Sequence, residues 1–429
     1  MRKQFQHRQF QPLEGPLEVA PPLSQATHHT KKLTLPHGLN LKPMYRQILL
    51  CLLLLILLAF LYYKQVPIAS VQSSTSRMAI CLMGGARRFE LTGPTNLKHV
   101  LNVFPEADLF VHSNLDENSF KLSLLRSAPR VTEVRIRRPV ELHESEVLRS
   151  VITANFSPNG LQGYLQYFNL VEGCLDMIRT QESHGSFKYD WIVRTRVDGY
   201  WTGPLDRKTF KTGSYVVPEG SRFEALNDRL GIGNRFFSEV ALSRLSLLPR
   251  LASAGFHDLY SESAFHTQLK IFNIPAAEFR FPFCILSDRP FPYPPDGWLG
   301  VPIASLGSRG PLSGAYCRPC IPQCKGECME QFGPKMDKYW SWTEWRNGSL
   351  ELCDGRGPWQ EGWEEIFNKV AGNEATNVRL RIKEMKMEDC VREMEGLKSK
   401  AERWNGPDPI EICKLGLQQV GQKSRKLFI

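Results

Sequence analysis

The sequence predicts an α/β protein. An open, mostly parallel sheet flanked by helices follows an N-terminal transmembrane helix and precedes a small Cys- and Trp-rich region. Three observations carry this expectation. From Arg77 the chain alternates MAICLM, the loop GGARRFELTG, a helix from near Pro94 to Phe104, then ADLFVHS, which is a βαβ opening. Its first strand is apolar almost throughout, as a parallel strand covered on both faces should be. Further on, YDWIVRTRVD between Tyr189 and Asp198 begins as an interior strand and ends in Arg-x-Arg-x-Asp.

The elements follow in order. Residues 1–47 hold six prolines between positions 11 and 43 among polar residues, too little apolar content to fold alone, so they read as a disordered cytosolic tail. Ile48 to Tyr63 is uncharged and as a helix would span roughly 24 Å. A polar tail precedes it, Tyr62 and Tyr63 close it and Lys64 follows it, unlike a cleaved signal peptide. Residues 48–63 are therefore expected to be a signal anchor. The tail carries Arg2, Lys3, Arg8, Lys31, Lys32, Lys42 and Arg46 against Glu14 and Glu18. Positive flanks stay cytosolic, giving a single-pass type II protein with its bulk in the lumen. So short a span suits a thin early secretory membrane, and the Golgi is expected ahead of the endoplasmic reticulum. Residues 64–76 form a short stem.

The whole chain has 54 Lys and Arg against 44 Asp and Glu, a net charge of +10. The tail holds seven of those basic and two of those acidic residues, which leaves 47 against 42, or +5, beyond it. A part so mildly basic, with no long Lys/Arg run and interleaved aromatics, argues against nucleic acid as a partner and leaves acidic small ligands open.

Residues 77–290 should form the main α/β domain. Gly84 and Gly85 after the first strand let a backbone approach a ligand, and Arg87 and Arg88 add cationic donors there. The spacing is not GxGxxG, so a coenzyme fingerprint is unsupported. A strand near Val131 to Ile136 follows. Leu161, Leu165, Phe168, Val171, Leu175 and Ile178 then mark one apolar helix face, which is core. In YDWIVRTRVD, Ile192, Arg194, Arg196 and Asp198 alternate onto one face. Charges are costly inside a sheet, so this face should emerge where the strand leaves the core, at the end where open α/β sheets bind ligands.

YVVPEG is a further strand, and in NDRLGIG the pair Asn227 and Asp228 can bind a hydroxyl-rich ligand or cap a helix starting near Ser238. Glu262 lies early in the ESAFHTQL helix, where the macrodipole favours a carboxylate and where a base could also sit. His266, four residues on, reads as a surface partner rather than a metal ligand.

Beyond Pro290 the composition changes, and residues 291–429 are expected to form the Cys/Trp-rich region. Cys284, Cys317, Cys320, Cys324, Cys328, Cys353, Cys390 and Cys413 are eight candidates for four disulfides, since a lumen is oxidising; the same spacing in a cytosolic protein would suggest zinc. Their pairing is open. Cys81 in a core strand and Cys174 in a core helix read as free buried thiols. Trp340, Trp342, Trp345, Trp359 and Trp363 crowd this region as core or as sugar-stacking surface. Arg379 to Trp404 reads as one charged helix. Asn347 in NGS is the expected glycosylation site, and Asn155, followed by Phe-Ser-Pro, a poor one.

The order of ICLMGGARRF, EADLFVHS, YDWIVRTRVDGYW, NDRLGIG and ESAFHTQL resembles bacterial surface-polysaccharide glycosyltransferase-like proteins. With its anchor and Cys-rich tail, the whole chain is similar to a plant domain-of-unknown-function family of Golgi-type proteins. The likeness covers roughly residues 78–286. It implies a GT-A-like nucleotide-sugar fold, with Gly84 to Arg88 along the nucleotide and Asp198 near the diphosphate and a metal such as Mn2+ or Mg2+. Typical members carry Asp-x-Asp where this chain has Arg196-Val197-Asp198, so a divalent ion is expected to bind weakly or to be dispensable.

Glycosyl transfer needs a stabilised nucleoside-diphosphate leaving group and a base for the acceptor hydroxyl. Arg194 and Arg196, with Asn227 nearby, fit the first, and Glu262 or Asp228 the second. Hydrolysis by paired carboxylates would not need two arginines beside them. The alternative from another class is a non-catalytic glycan-binding or scaffolding protein of the Golgi membrane, which the missing second Asp favours.

Overall fold

The computed structural model describes residues 76–426, apart from residues 156, 158, 224, 292–300 and 333–349. The tail, the anchor at 48–63 and almost all of the stem lie outside the described residues. Among those described, no helix is long and apolar enough to cross a membrane. From Ser74 onward the chain forms one compact unit.

Its centre is an eight-stranded sheet in the order β13-β3-β2-β1-β4-β7-β6-β8. The strands are β1 (Met78–Met83), β2 (Asp108–Asn114), β3 (Val131–Arg137), β4 (Trp191–Arg196), β6 (Tyr215–Pro218), β7 (Gly231–Asn234), β8 (Ala276–Phe279) and β13 (Ala401–Asn405). β13, β3, β2, β1 and β4 run parallel. β7 is antiparallel to β4 and to β6, and β6 is parallel to β8. β1 is buried along its whole length, because it sits mid-sheet with the helix Gly160–Gly185 on one face and the cluster around Phe89, Leu122 and Leu125 on the other. The apolar stripe predicted on the long helix is core: Leu165, Phe168, Val171, Leu175 and Ile178 are all fully buried.

A second sheet, in the order β12-β10-β11-β9-β5, is built from β5 (Gly199–Trp201), β9 (Phe283–Leu286), β10 (Ile303–Ser305), β11 (Tyr316–Arg318) and β12 (Leu352–Cys353). The chain passes from the first sheet to the second in the two residues Val197 and Asp198, between Arg196 and Gly199. The helix Phe89–Asn96 fastens that crossing with polar side chains: Thr92 Oγ1 donates to the Val197 carbonyl at 2.5 Å, Asn96 Nδ2 to the Gly199 carbonyl at 2.8 Å, and Thr95 Oγ1 accepts from Trp201 N at 3.0 Å. All three residues are buried, so these bonds satisfy groups that would otherwise be orphaned.

Several expectations need correction. The first helix starts at Phe89, not Pro94. Pro94 lies inside it, where its missing N–H leaves one backbone bond unmade; residues Leu97–Leu101 then continue in π geometry, an irregularity of the kind that follows a disturbed ladder. The helix expected near Ser238 is Arg235–Leu242, capped by Asn234, whose Oδ1 accepts from Phe237 N at 2.8 Å; Asn227 and Asp228 cap nothing there. Residues 379–404 are not one helix: Trp363–Lys383 and Met387–Lys400 are separate, and Trp404 belongs to β13. Arg403 in that strand donates to Glu133 of β3 at 2.8 and 3.0 Å, and Met394 and Leu397 join the cluster that holds β1 and β2 residues. The Cys-rich region therefore contributes a strand to the main sheet.

All eight candidate cysteines are paired: Cys284–Cys317, Cys320–Cys353, Cys324–Cys328 and Cys390–Cys413. Cys81 and Cys174, expected as free thiols, form a fifth bridge with Cα atoms 6.2 Å apart. Periodicity assigned each to a buried face but could not show that the two faces meet, β1 against the long helix. Trp359 and Trp363 pack edge to face at 4.8 Å; Trp340, Trp342, Trp345 and Asn347 lie outside the described residues.

Candidate functional site

Three features of the topology bring the site residues to one edge. β1 and β4 are adjacent and parallel, with Met83 paired to Arg196, so the Gly84–Arg88 loop and Arg196-Val197-Asp198 leave the sheet together. β7 runs the other way beside β4, with Gly231 opposite Arg194, which returns the residues before it, 227–230, to the carboxyl end of β4. The helix Ser261–Ile271 begins there too, since Ser261 Oγ donates to Asp228 Oδ2 at 2.6 Å. This is the sheet edge where α/β proteins bind ligands.

Gly84 is required at its position. Its φ is +120°, and a Cβ there would lie 3.1 Å from Val197 Cγ2, so the loop presses on the β4 exit. Gly85 is exposed, with Asp116 Oδ2 on its open side; burial raises the Asp116 carboxyl above its ordinary range. Arg87 is largely exposed. Arg88 is bound from two sides: Nε and Nη2 donate to Asp288 Oδ1 at 3.1 and 2.8 Å, and the guanidinium lies 4.1 Å from the Trp359 ring centre.

Arg196 and Asp198 form a two-point fork, Nε to Oδ1 at 2.8 Å and Nη2 to Oδ2 at 2.6 Å, both side chains about a quarter exposed. Burial disfavours the guanidinium charge, but Asp198 outweighs this and holds its pKa well above the usual value. Arg196 Nη1 has no hydrogen-bond partner among the described residues. Arg194, two residues earlier, is 2% exposed and does not face solvent: Nη1 donates to Tyr167 Oη at 3.1 Å and Nη2 to the Asp228 carbonyl. Alternation placed Arg194 and Arg196 on one face; the long helix covers the first and not the second.

Asp228 is also interior. Its Oδ2 accepts from Ser261 and from Arg244 Nη1 and Nη2, both at 3.3 Å. Burial alone would raise this carboxyl, yet Arg244 and then Arg194 keep it below its ordinary range. Arg244 is itself sealed, 1% exposed, with Phe168 4.8 Å from its guanidinium. Asp228 is thus a buried anion fixed by cations, and its role is to position the strand and helix ends around it. Asn227 is likewise structural in its contacts: Nδ2 donates to the Gly220 carbonyl at 2.8 Å and to the Ser313 carbonyl at 3.2 Å, and Oδ1 accepts from Arg229 N at 3.1 Å.

Glu262 differs from both. It is half-buried and makes no ion pair among the described residues. Burial, and then repulsion from Asp228, push it up to about 7 despite Arg229. A carboxyl that exchanges a proton near neutrality is suited to act as a base. His266 is exposed and does not join it.

The sequence reading missed Tyr164, Tyr167, Arg229, Arg244, Asp288 and Tyr316. Tyr164 ionises less readily because of burial and the nearby Glu262 and Asp228 charges. Arg229 stood inside the quoted NDRLGIG motif; Tyr167 is one step off the apolar stripe; Asp288 and Tyr316 come from regions with no motif.

A divalent ion has no evident seat. Both Asp198 oxygens accept from Arg196, and among the described residues no group of three His, Cys, Asp or Glu side chains could hold a metal. A hard cation takes several oxygens, and this donor set does not fit Mn2+ or Mg2+.

Fold and edge together define a mixed α/β protein whose cation and carboxylate cluster lies at the carboxyl ends of its parallel strands. The chain belongs to the family described as Domain of unknown function (DUF7796), whose match spans residues 73–419. No curated protein matches it. Among solved structures it is similar to mouse xyloside xylosyltransferase 1 in its apo form, at 11% identity over 48% of this chain and 85% of that one, with a TM-score of 0.29; a likeness that loose carries no argument about the site.

Proposed function

We propose that this chain is a type II membrane glycosyltransferase of the Golgi lumen with a GT-A-like fold, passing a sugar from a nucleoside-diphosphate donor to a glycan or glycoconjugate. The observation that supports it most is the pairing, at one sheet edge, of a guanidinium with a spare donor, Arg196, and a carboxyl poised near neutrality, Glu262. Diphosphate oxygens would lie against Arg196 Nη1 and Arg87, beside the exposed Gly85, as planar cations favour; the Gly84 N–H is already committed to the His112 carbonyl. The anomeric carbon–phosphate oxygen bond breaks, its electron pair leaves with the diphosphate, and the acceptor oxygen forms the new bond while its proton passes to Glu262. Arg194 and Asp228 act through position only.

The closed Arg196–Asp198 fork favours a second reading, a non-catalytic glycan-binding protein. Release of free nucleoside diphosphate from a panel of nucleotide sugars decides between them. The transferase reading predicts release with at least one donor and its loss in Glu262→Gln with donor binding retained; no release with any donor favours the binding protein.

A further inference from the structure

The loop after β6 carries unusual backbone geometry. Phe223 has a φ of +46°, a conformation glycine adopts freely and a bulky residue rarely enters. Of the six non-glycine residues with positive φ among the described residues, Ser221, Phe223 and Ser313 flank a single buried amide, Asn227. Strain gathered at one place is a reason to look for function there. The loop is held in that shape: Asn227 ties it to the Ser313 carbonyl, and Tyr260 Oη donates to the Phe223 carbonyl. Tyr260 immediately precedes the helix that carries Glu262, so the strained loop is tied to the end of the element bearing the proposed base.

Phe223 is 37% exposed. The Arg229 guanidinium lies 5.6 Å from its centre and 4.1 Å from that of Tyr316, while Arg229 is only 3% exposed. Tyr316 in turn stacks on Phe291 with ring centres 5.3 Å apart. Phe223 and Tyr316 thus share one buried cation, and the buried Phe291 backs Tyr316 from the core. Ordinary folding does not require an exposed aromatic ring on a left-handed residue; polar turn residues or glycine would be less strained there.

We propose that Phe223 is the acceptor platform: the apolar face of a neutral pyranose stacks on its outer face and is thereby presented to Glu262. The inference rests on the transferase reading and adds to it the class of acceptor and the residue that holds it. Aromatic faces attract sugar C–H groups, and the arginine beneath the ring fixes the ring without competing for solvent.

Saturation-transfer NMR on the full chain in detergent, with the methyl β-glycosides of glucose, galactose, xylose and N-acetylglucosamine, tests it. At least one glycoside should bind the parent, with signals strongest on one ring face. Binding should be roughly five- to tenfold weaker in Phe223→Gly and Phe223→Leu and retained in Phe223→Trp. Glycine suits the observed φ, so Phe223→Gly should fold; Phe223→Leu keeps apolar bulk should packing matter. Titration of the same variants with UDP and GDP should show no change. If no glycoside binds the parent, or all variants bind alike, the platform is refuted. If UDP or GDP binding falls instead, the ring serves a nucleobase and the inference is wrong. Failure of both nucleotides to bind the parent counts against the transferase reading itself, whatever the glycosides do.

Discussion

Replacing Glu262 by Gln removes a charge that the fold disfavours while keeping the side chain's shape. Burial and the Asp228 carboxylate raise this carboxyl from its ordinary 4.5 to about 7, although its place in the first turn of a helix would by itself favour the anion. Because the folded-state value is raised, the stability it contributes is complete below pH 4.5 and is lost as pH climbs through 7. At about 1.4 kcal/mol per pH unit, the loss is about 3 kcal/mol. Glu262→Gln should therefore match the parent near pH 4.5 and exceed it by about that amount at pH 8, or roughly 5 °C in melting temperature for a unit of this size. Melting curves of parent and variant from pH 4.5 to 8 measure this directly. A constant offset across the range, or a variant less stable at pH 8 than at pH 5 relative to the parent, would refute the reasoning.

Four further outcomes are expected. Non-reducing peptide mapping should recover Cys81–Cys174 with the four bridges of the Cys-rich region, and Cys81→Ala should cost about 4 kcal/mol because that bridge closes a long loop; an alkylatable Cys81 in the native chain contradicts it. Asn227→Ala should destabilise by about 1–3 kcal/mol by leaving the Gly220 and Ser313 carbonyls unpaired, which urea unfolding would show. Asp198→Asn breaks one arm of the fork, and donor titration should register weaker binding in a variant whose melting temperature changes little, since a partly exposed pair adds about 1 kcal/mol or less. Asn347 should carry a glycan if the bulk of the chain is luminal, and an unchanged gel mobility after N-glycosidase would argue for the opposite topology.

Much of the frame was legible because it rests on local patterns. The apolar run MAICLM and the stripe from Leu161 to Ile178 each specify a covered face, and both are core. The carboxyl-end location of Arg196 and Asp198 follows from a strand that turns from apolar to charged. What escaped the sequence depends on which surfaces meet. Arg194 and Arg196 share a periodicity, yet Tyr167 and the Asp228 carbonyl cover only the first. Cys81 and Cys174 were each rightly placed in the interior, but no pattern within either segment records that they face each other. Trp404 sits in a charged, helix-like stretch and becomes a strand because β3 offers an open edge, a tertiary preference that overrides the local one. Asp228 and Glu262 look equivalent as carboxylates; Arg244 and the Ser261 hydroxyl bond the first, with Arg194 close by, whereas Glu262 makes no ion pair among the described residues, and that contact set separates a fixed anion from a titrating group.

The central claim is that the edge formed by Gly84, Gly85, Arg87 and Arg196 receives a nucleoside diphosphate. Thermal shift of the full chain in detergent, against UDP-, GDP- and CMP-linked sugars, tests it most directly, since a ligand that binds only the folded state raises the melting temperature. The account predicts that at least one nucleoside-diphosphate sugar shifts the parent, and that Arg196→Lys, which keeps the charge but loses the planar fork, reduces the shift. A parent that no such donor stabilises, or a Lys variant that responds as the parent does, would contradict it.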